Sequence, residues 1–149
     1  MGKIQYAVVP EPFATVACEK DKNIFRAVDF QKEFFVLSGI ENFPMTVIAV
    51  NANFAKSNPE KVKKFLEEYK KASEWTLKNP KEAGILAEKA NFGLKADVAE
   101  KSIPNANFIW QDSLTAKKQI ESILSVFLQE SPQSTGGKLP DDDFYFSLK

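Results

Sequence analysis

Apolar residues follow two different patterns along this chain. Three short runs, at residues 3–10, 24–30 and 45–51, are rich in β-branched and aromatic residues and are flanked by proline, asparagine or aspartate. Such runs predict β-strands. The run at 45–51 carries no charged residue and is typical of the fully buried strands of α/β sheets. The run at 24–30 is predicted to continue toward Leu37.

From residue 57 onward, apolar residues recur every three or four positions, which predicts amphipathic helices. A polar residue before a proline marks two helix starts, at Asn58-Pro59 and Asn79-Pro80, and Asp112 or Ser113 caps a last long helix. A short helix is also predicted after Pro12.

The segment between the second and the last of these long helices has no such pattern. Residues 95–102 are predicted to form turns and residues 103–110 an extended segment, since a proline disfavours helix immediately before it. A strand-helix-strand unit at residues 3–30, followed by the buried strand at 45–51, predicts an α/β fold.

Composition narrows the function classes. The 149 residues carry 20 basic and 20 acidic side chains, so the chain lacks the basic excess of a nucleic-acid-binding protein. With no histidine and one cysteine, His-based catalysis and Cys- or His-rich metal sites are excluded. We therefore expect no enzyme activity, no cofactor and no metal. Asp141-Asp142-Asp143 lacks the spacing of a calcium loop and is predicted to be a solvated turn.

Three further expectations come from composition. No apolar run is long enough to span a membrane, and no signal-peptide pattern opens the chain. The abundance of lysine and glutamate, with few Cys and Met, indicates a heat-adapted source. Cys18 lies in an apolar run and is interpreted as a small buried hydrophobic residue.

Glu11 is the first candidate for a ligand contact. It lies between Pro10 and Pro12, directly after a predicted strand, and ligands of open α/β sheets bind beyond the carboxyl ends of strands. The two prolines restrict the backbone and can hold the carboxylate toward a ligand's amino group or ring N–H. The alternative is a solvated glutamate near the start of a helix. Trp75 is interpreted as a core residue, and the role of Trp110 stays open.

Three stretches then resemble a known family. They are residues 2–13, residues 44–51, and the helix start at 54–62 with the later Trp75 and Asn79-Pro80. In this order they look like the C-terminal half of the substrate-binding proteins of ABC importers. The most similar members are the binders of sulfonates, taurine and nitrate and the binders of thiamine pyrimidine precursors.

The resemblance implies the C-terminal half of a two-lobed type II periplasmic-binding-protein fold, with a mixed sheet flanked by helices. Residues 3–38 would be part of the second lobe, residues 39–44 a hinge crossing, and residues 45–149 part of the first lobe. Because members of the family are about twice this length, we expect either a fragment or a natural half-length product. The full-length protein would lie in the periplasm or be anchored outside the cytoplasmic membrane.

The same resemblance implies a small-molecule ligand and an ABC permease as partner. Substrate contacts would come from Glu11 and its neighbours Pro10, Pro12 and Phe13, and from Phe43. Because Arg26 is the single arginine, no arginine clamp for a sulfonate is expected, which favours a neutral or basic heterocycle such as a thiamine pyrimidine precursor.

Two other functions stay open: an effector-sensing domain of a transcription regulator, and an enzyme related to the pyrimidine-precursor binders. We also expect this chain to form a homo-oligomer, because the predicted strands 3–9 and 45–51 would otherwise leave sheet edges unpaired.

Overall fold

A computed structural model describes residues 4–146 of the chain. Lys3, at the start of the first predicted strand, and residues 147–149, at the end of the predicted first lobe, lie outside the described part. The described residues form seven α-helices: α1 (Phe13–Lys20), α2 (Phe30–Ser38), α3 (Ala52–Ser57), α4 (Pro59–Lys78), α5 (Pro80–Lys89), α6 (Ala96–Ser102) and α7 (Ser113–Glu130). Short 3-10 helices span Ile103–Asn105, Pro132–Thr135 and Asp142–Phe144.

The helix starts follow from local chemistry. Helices α4 and α5 begin at Pro59 and Pro80, whose missing N–H groups cost nothing in a first turn. Helix α7 begins after Asp112, whose side chain accepts hydrogen bonds from the backbone N–H groups of Leu114 and Thr115 at 3.1 and 3.0 Å. These three predicted starts are confirmed, as is the short helix after Pro12.

The predicted α/β fold, a mixed sheet flanked by helices as in half of a type II periplasmic-binding protein, is wrong. Within residues 4–146 no segment forms a β-strand, and residues 4–10, 24–28 and 45–50 adopt no regular structure. The physical reason is that a strand needs a neighbouring segment for its backbone hydrogen bonds, and an apolar run does not supply one.

Three local predictions also fail. The extended segment predicted at 103–110 begins instead with a 3-10 helix at Ile103–Asn105. The strand expected to run on toward Leu37 is replaced by α2, because the Asp29 side chain accepts a hydrogen bond from the Gln31 backbone N–H at 3.0 Å and so caps a helix start. Residues 96–102, predicted as turns, form α6. Gly39 ends α2 with a left-handed backbone, φ 65°.

The chain divides into two compact units. The first contains Met1–Ala27 and Tyr69–Ile109, and the second contains Val28–Glu68 and Trp110–Lys149. In the first unit α6 packs against both α5 and α1. Gly84 is buried at the contact of α5 with α6, where a side chain would overlap the carbonyl oxygen of Ala96. The Lys101 ammonium donates to Glu19 at 2.5 Å and ties α6 to α1.

Side-chain hydrogen bonds and ion pairs join separate segments of the second unit. The Gln31 side chain donates to the Phe43 carbonyl at 2.8 Å and accepts from the Phe43 backbone N–H at 2.6 Å. These two bonds fasten the loop after α2 to the start of that helix. At the end of the chain, the Lys117 ammonium on α7 donates to Asp142 at 2.5 Å and lies 5.3 Å from the centre of the Tyr145 ring.

Among the described residues, the buried side chains are mostly small, and many large apolar side chains are exposed. The buried hydrophobic residues are Ala55, Val62, Ala99, Ile103 and Tyr145. The described helices include none with the length and apolar character needed to cross a bilayer.

Candidate functional site

The first unit contains an apolar cavity of about 620 Å³. Helix α5 supplies Leu86 and Ala87, and the end of α4 supplies Trp75. Phe92 and Phe108, from the segments that follow α5 and α6, add two more aromatic rings. The volume lies within the range of small-molecule sites, which are apolar with a few placed polar groups.

Glu11 and its neighbour Pro12 form part of the lining of this cavity. The Glu11 side chain is only 10% exposed. Its Oε1 accepts from Arg26 Nε at 3.0 Å and from Arg26 Nη2 at 2.5 Å. Its Oε2 accepts from the backbone N–H of Thr15 at 3.1 Å and from the Thr15 hydroxyl at 2.7 Å. The carboxylate is therefore fixed in direction by four donors.

The local sequence explains this arrangement. Thr15 follows Glu11 by four positions, so the first turn of α1 brings its N–H and hydroxyl back to the carboxylate. Arg26 Nη2 also donates to the Thr15 hydroxyl oxygen, at 2.7 Å. The three side chains thus form one closed network, which we call the Glu11 cluster.

Electrostatics keep the Glu11 carboxyl ionised. Burial alone raises the pKa of Glu11, but the hydrogen bonds from Thr15 and Arg26 and the charge of Arg26 together outweigh it, so the pKa of Glu11 is below its ordinary value. The carboxylate and the guanidinium form an ion pair of zero net charge beside the cavity.

The predicted site residues fall in different places. Glu11 and Pro12 line the cavity, whereas Pro10 and Phe13 are exposed neighbours outside its lining. Phe43 belongs to the second unit, where its ring packs edge-on against Phe34 with 5.2 Å between ring centres. The assignment of these five residues to a substrate site stays a prediction.

Sequence reasoning missed most of the cavity wall. The apolar spacing predicts that Trp75 is a core residue, yet it lines the cavity and is 41% exposed. Arg26 carried a usable signal, since it is the only arginine and lies between apolar residues at 24–28. Thr15 carried none, because its role depends on the direction in which α1 leaves Glu11.

The described residues contain no group of three or more His, Cys, Asp or Glu side chains that could hold a metal ion. The polar groups of the cavity wall are Glu11 and the hydroxyls of Thr76 and Ser102. Ser102 donates to the Ala99 carbonyl at 3.1 Å. This arrangement suits the binding of a molecule through shape and apolar contact.

Comparison with known proteins gives one positive result. Residues 32–83, about a third of the chain, match the family model described as NMT1/THI5 like. No curated protein and no solved structure matches the chain at a significant level. The family match supports a relation to substrate-binding proteins and implies, in general, a small-molecule ligand and a transporter as partner. It is consistent with a solute-binding role in transport.

Proposed function

We propose that this protein binds a small organic solute and delivers it to a membrane transporter. The observation that carries the proposal is the match of residues 32–83 to the NMT1/THI5-like family. The 620 Å³ cavity, with its aromatic walls and its fixed carboxylate, is a suitable place for such a solute.

The finer features follow from the sequence resemblance. The transporter would be an ABC importer, and the protein would act outside the cytoplasm, without catalysing a reaction. The solute would be a heterocycle similar to a thiamine pyrimidine precursor, since Arg26, the single arginine, is already paired with Glu11 and provides no clamp for a sulfonate. We also propose that the protein self-associates and that it comes from a heat-adapted organism.

Isothermal titration calorimetry with three solutes tests this function. The expected result is saturable binding of an aminopyrimidine and no heat from taurine or nitrate. Tight binding of taurine or nitrate, with no binding of the aminopyrimidine, would contradict the proposal that the solute is a heterocycle. A chain that binds none of these, nor any other small molecule in a solute panel, would overturn the solute-binding function itself.

A further inference from the structure

We propose that the cavity of the first unit selects an electrically neutral aromatic ligand, because the Glu11 cluster presents no unpaired charge that could anchor an ion. The inference rests on the proposed solute-binding function and narrows the class of solute. Three observations support it: both Glu11 carboxylate oxygens already accept two hydrogen bonds each, Arg26 balances the charge of Glu11, and the other lining residues are uncharged.

The Glu11 carboxylate has little remaining capacity to accept a hydrogen bond from a ligand. A carboxylate has about four lone-pair sites for hydrogen bonds. Arg26 fills two at Oε1 and Thr15 fills two at Oε2. A ligand N–H could reach this carboxylate only by displacing a donor that is already in place, and two of the four donors belong to the charged Arg26 guanidinium. Glu11 is therefore a poor anchor for an amino group while Arg26 is present.

The lining of the cavity and the adjacent Arg26 together carry no net charge. Among the described residues that line the cavity, Glu11 is the only charged one, and Arg26 neutralises it. A cation or an anion entering the cavity would lose hydration without meeting an unpaired opposite charge, and burying an unpaired ion is costly. A neutral molecule avoids this cost.

Aromatic and small apolar side chains make up much of the remaining cavity lining. Trp75, Phe92 and Phe108 all contribute to the cavity lining, and these residues are 41%, 74% and 56% exposed, so none of the three rings is enclosed by the packing of the first unit. A planar apolar ligand would cover these rings, and aromatic pairs gain more than their buried area alone provides. The small side chains Ala83, Ala87 and Ala90 leave room for it along α5.

Three probes of one shape and different charge test the proposal. They are 2-naphthalenemethanol, which is neutral, 2-naphthoate, which is an anion, and 2-naphthylmethylammonium, which is a cation. Binding is followed by the indole N–H signals in ¹⁵N–¹H NMR spectra of the protein. Trp75 reports on the cavity, and Trp110, in the second unit, is the internal control.

We expect the neutral probe to shift the Trp75 signal, to leave that of Trp110 unchanged, and to bind about tenfold more tightly than either ion. Arg26→Gln leaves the Glu11 carboxylate unpaired and should transfer the preference to the cation. Glu11→Gln leaves the guanidinium unpaired and should transfer it to the anion. Circular dichroism checks that each variant is folded, and the comparison of probes on the unaltered protein remains decisive if one is not.

Several results would overturn the inference. Tighter binding of the cation to the unaltered protein would make Glu11 an available anchor, and tighter binding of the anion would give that role to Arg26. An aminopyrimidine that binds while the Trp75 signal stays unchanged would remove this cavity as the site and leave solute binding intact. A dimer that Ala87→Trp separates into monomers, with no probe bound, would show that a second copy of the chain occupies the cavity.

Discussion

The Glu11 carboxylate accepts four hydrogen bonds and forms an ion pair with the Arg26 guanidinium. The ionised form of Glu11 therefore stabilises the folded protein. The lowered pKa of Glu11 means that the folded protein holds the ionised form more tightly than the unfolded chain does. Stability from this group is therefore complete above the ordinary pKa of 4.5 and is lost as the pH falls through the lowered value.

Replacing Glu11 with glutamine should lower the free energy of unfolding at about pH 7 by about 1.5 kcal/mol, near the lower limit for hydrogen bonds to charged groups. We place it there because the Arg26 side chain is 41% exposed and water screens the pair. Urea unfolding at several pH values measures the difference between the two proteins, which should shrink as the pH falls below about 4.5.

Glu19→Gln is the matched control, since it removes the carboxylate of a solvent-exposed pair with Lys101 and should cost clearly less stability than Glu11→Gln. A Glu11→Gln difference that stays constant down to the acid-unfolding region would contradict the assigned role of the carboxylate charge.

At the scale of elements, the contact between α5 and α6 depends on the absence of a side chain at Gly84. A Cβ atom there would overlap the Ala96 carbonyl and lie 3.2 Å from the Glu100 nitrogen, both on the backbone of α6. Backbone atoms cannot rotate away, so the two helices must separate.

Gly84→Ala should therefore destabilise the protein by about 1–3 kcal/mol, although alanine favours helix by up to about 1 kcal/mol over glycine. Thermal unfolding compares it with Glu88→Ala, a change on the exposed side of the same helix that should have little effect. A Gly84→Ala variant that is as stable as the parent would show that α5 and α6 can move apart without cost.

The start of α7 provides a second test at this scale. Asp112 accepts from two backbone N–H groups and from the Thr115 hydroxyl at 2.6 Å, and the hydroxyl bond is the main reason for the lowered pKa of Asp112. Asp112→Ala should cost about 1 kcal/mol, and Asp112→Asn, which keeps a capping oxygen, clearly less. Equal losses in urea unfolding would mean that the charge stabilises α7 and the cap does not.

Helix starts could be predicted from the sequence because their causes are local. Pro59, Pro80 and Asp112 act within one turn of their own position, and each prediction was confirmed. The strand at 45–51 and the sheet could not be predicted in this way, since strand pairing depends on a distant partner that the apolar pattern does not identify. Helix α6 was missed because its seven residues are too few to display a periodic stripe.

The site was predictable to a similar extent. The two prolines drew attention to Glu11, but the donors that fix its carboxylate are Thr15 and Arg26, whose positions depend on how α1 and the segment after it fold back. The role of Glu11 in a substrate site stays a prediction. The aromatic wall at Trp75 could not be separated from a core position, because a helix presents the same apolar spacing in both cases.

At the scale of the whole molecule, large apolar side chains remain in contact with solvent on segments without regular structure. Tyr6 is 86% exposed, Met45 70% and Val47 61%. Covering such groups stabilises an assembly by about 25 cal/mol per Å² of apolar surface removed from water. The residues around Val47 carry no charge, so two copies of this segment can approach without repulsion between like charges.

We therefore expect the protein to form dimers or larger oligomers at micromolar concentration. Light scattering should give a mass above the 16.7 kDa of one chain. Val47→Lys places a charge in the apolar segment and should weaken association at least about tenfold, since burying a valine contributes about 1.5 kcal/mol or more. Gln133→Lys, which adds the same charge at an exposed polar position, is the control. A monomer mass would refute self-association, and an oligomer that tolerates Val47→Lys would require an interface away from residues 45–50.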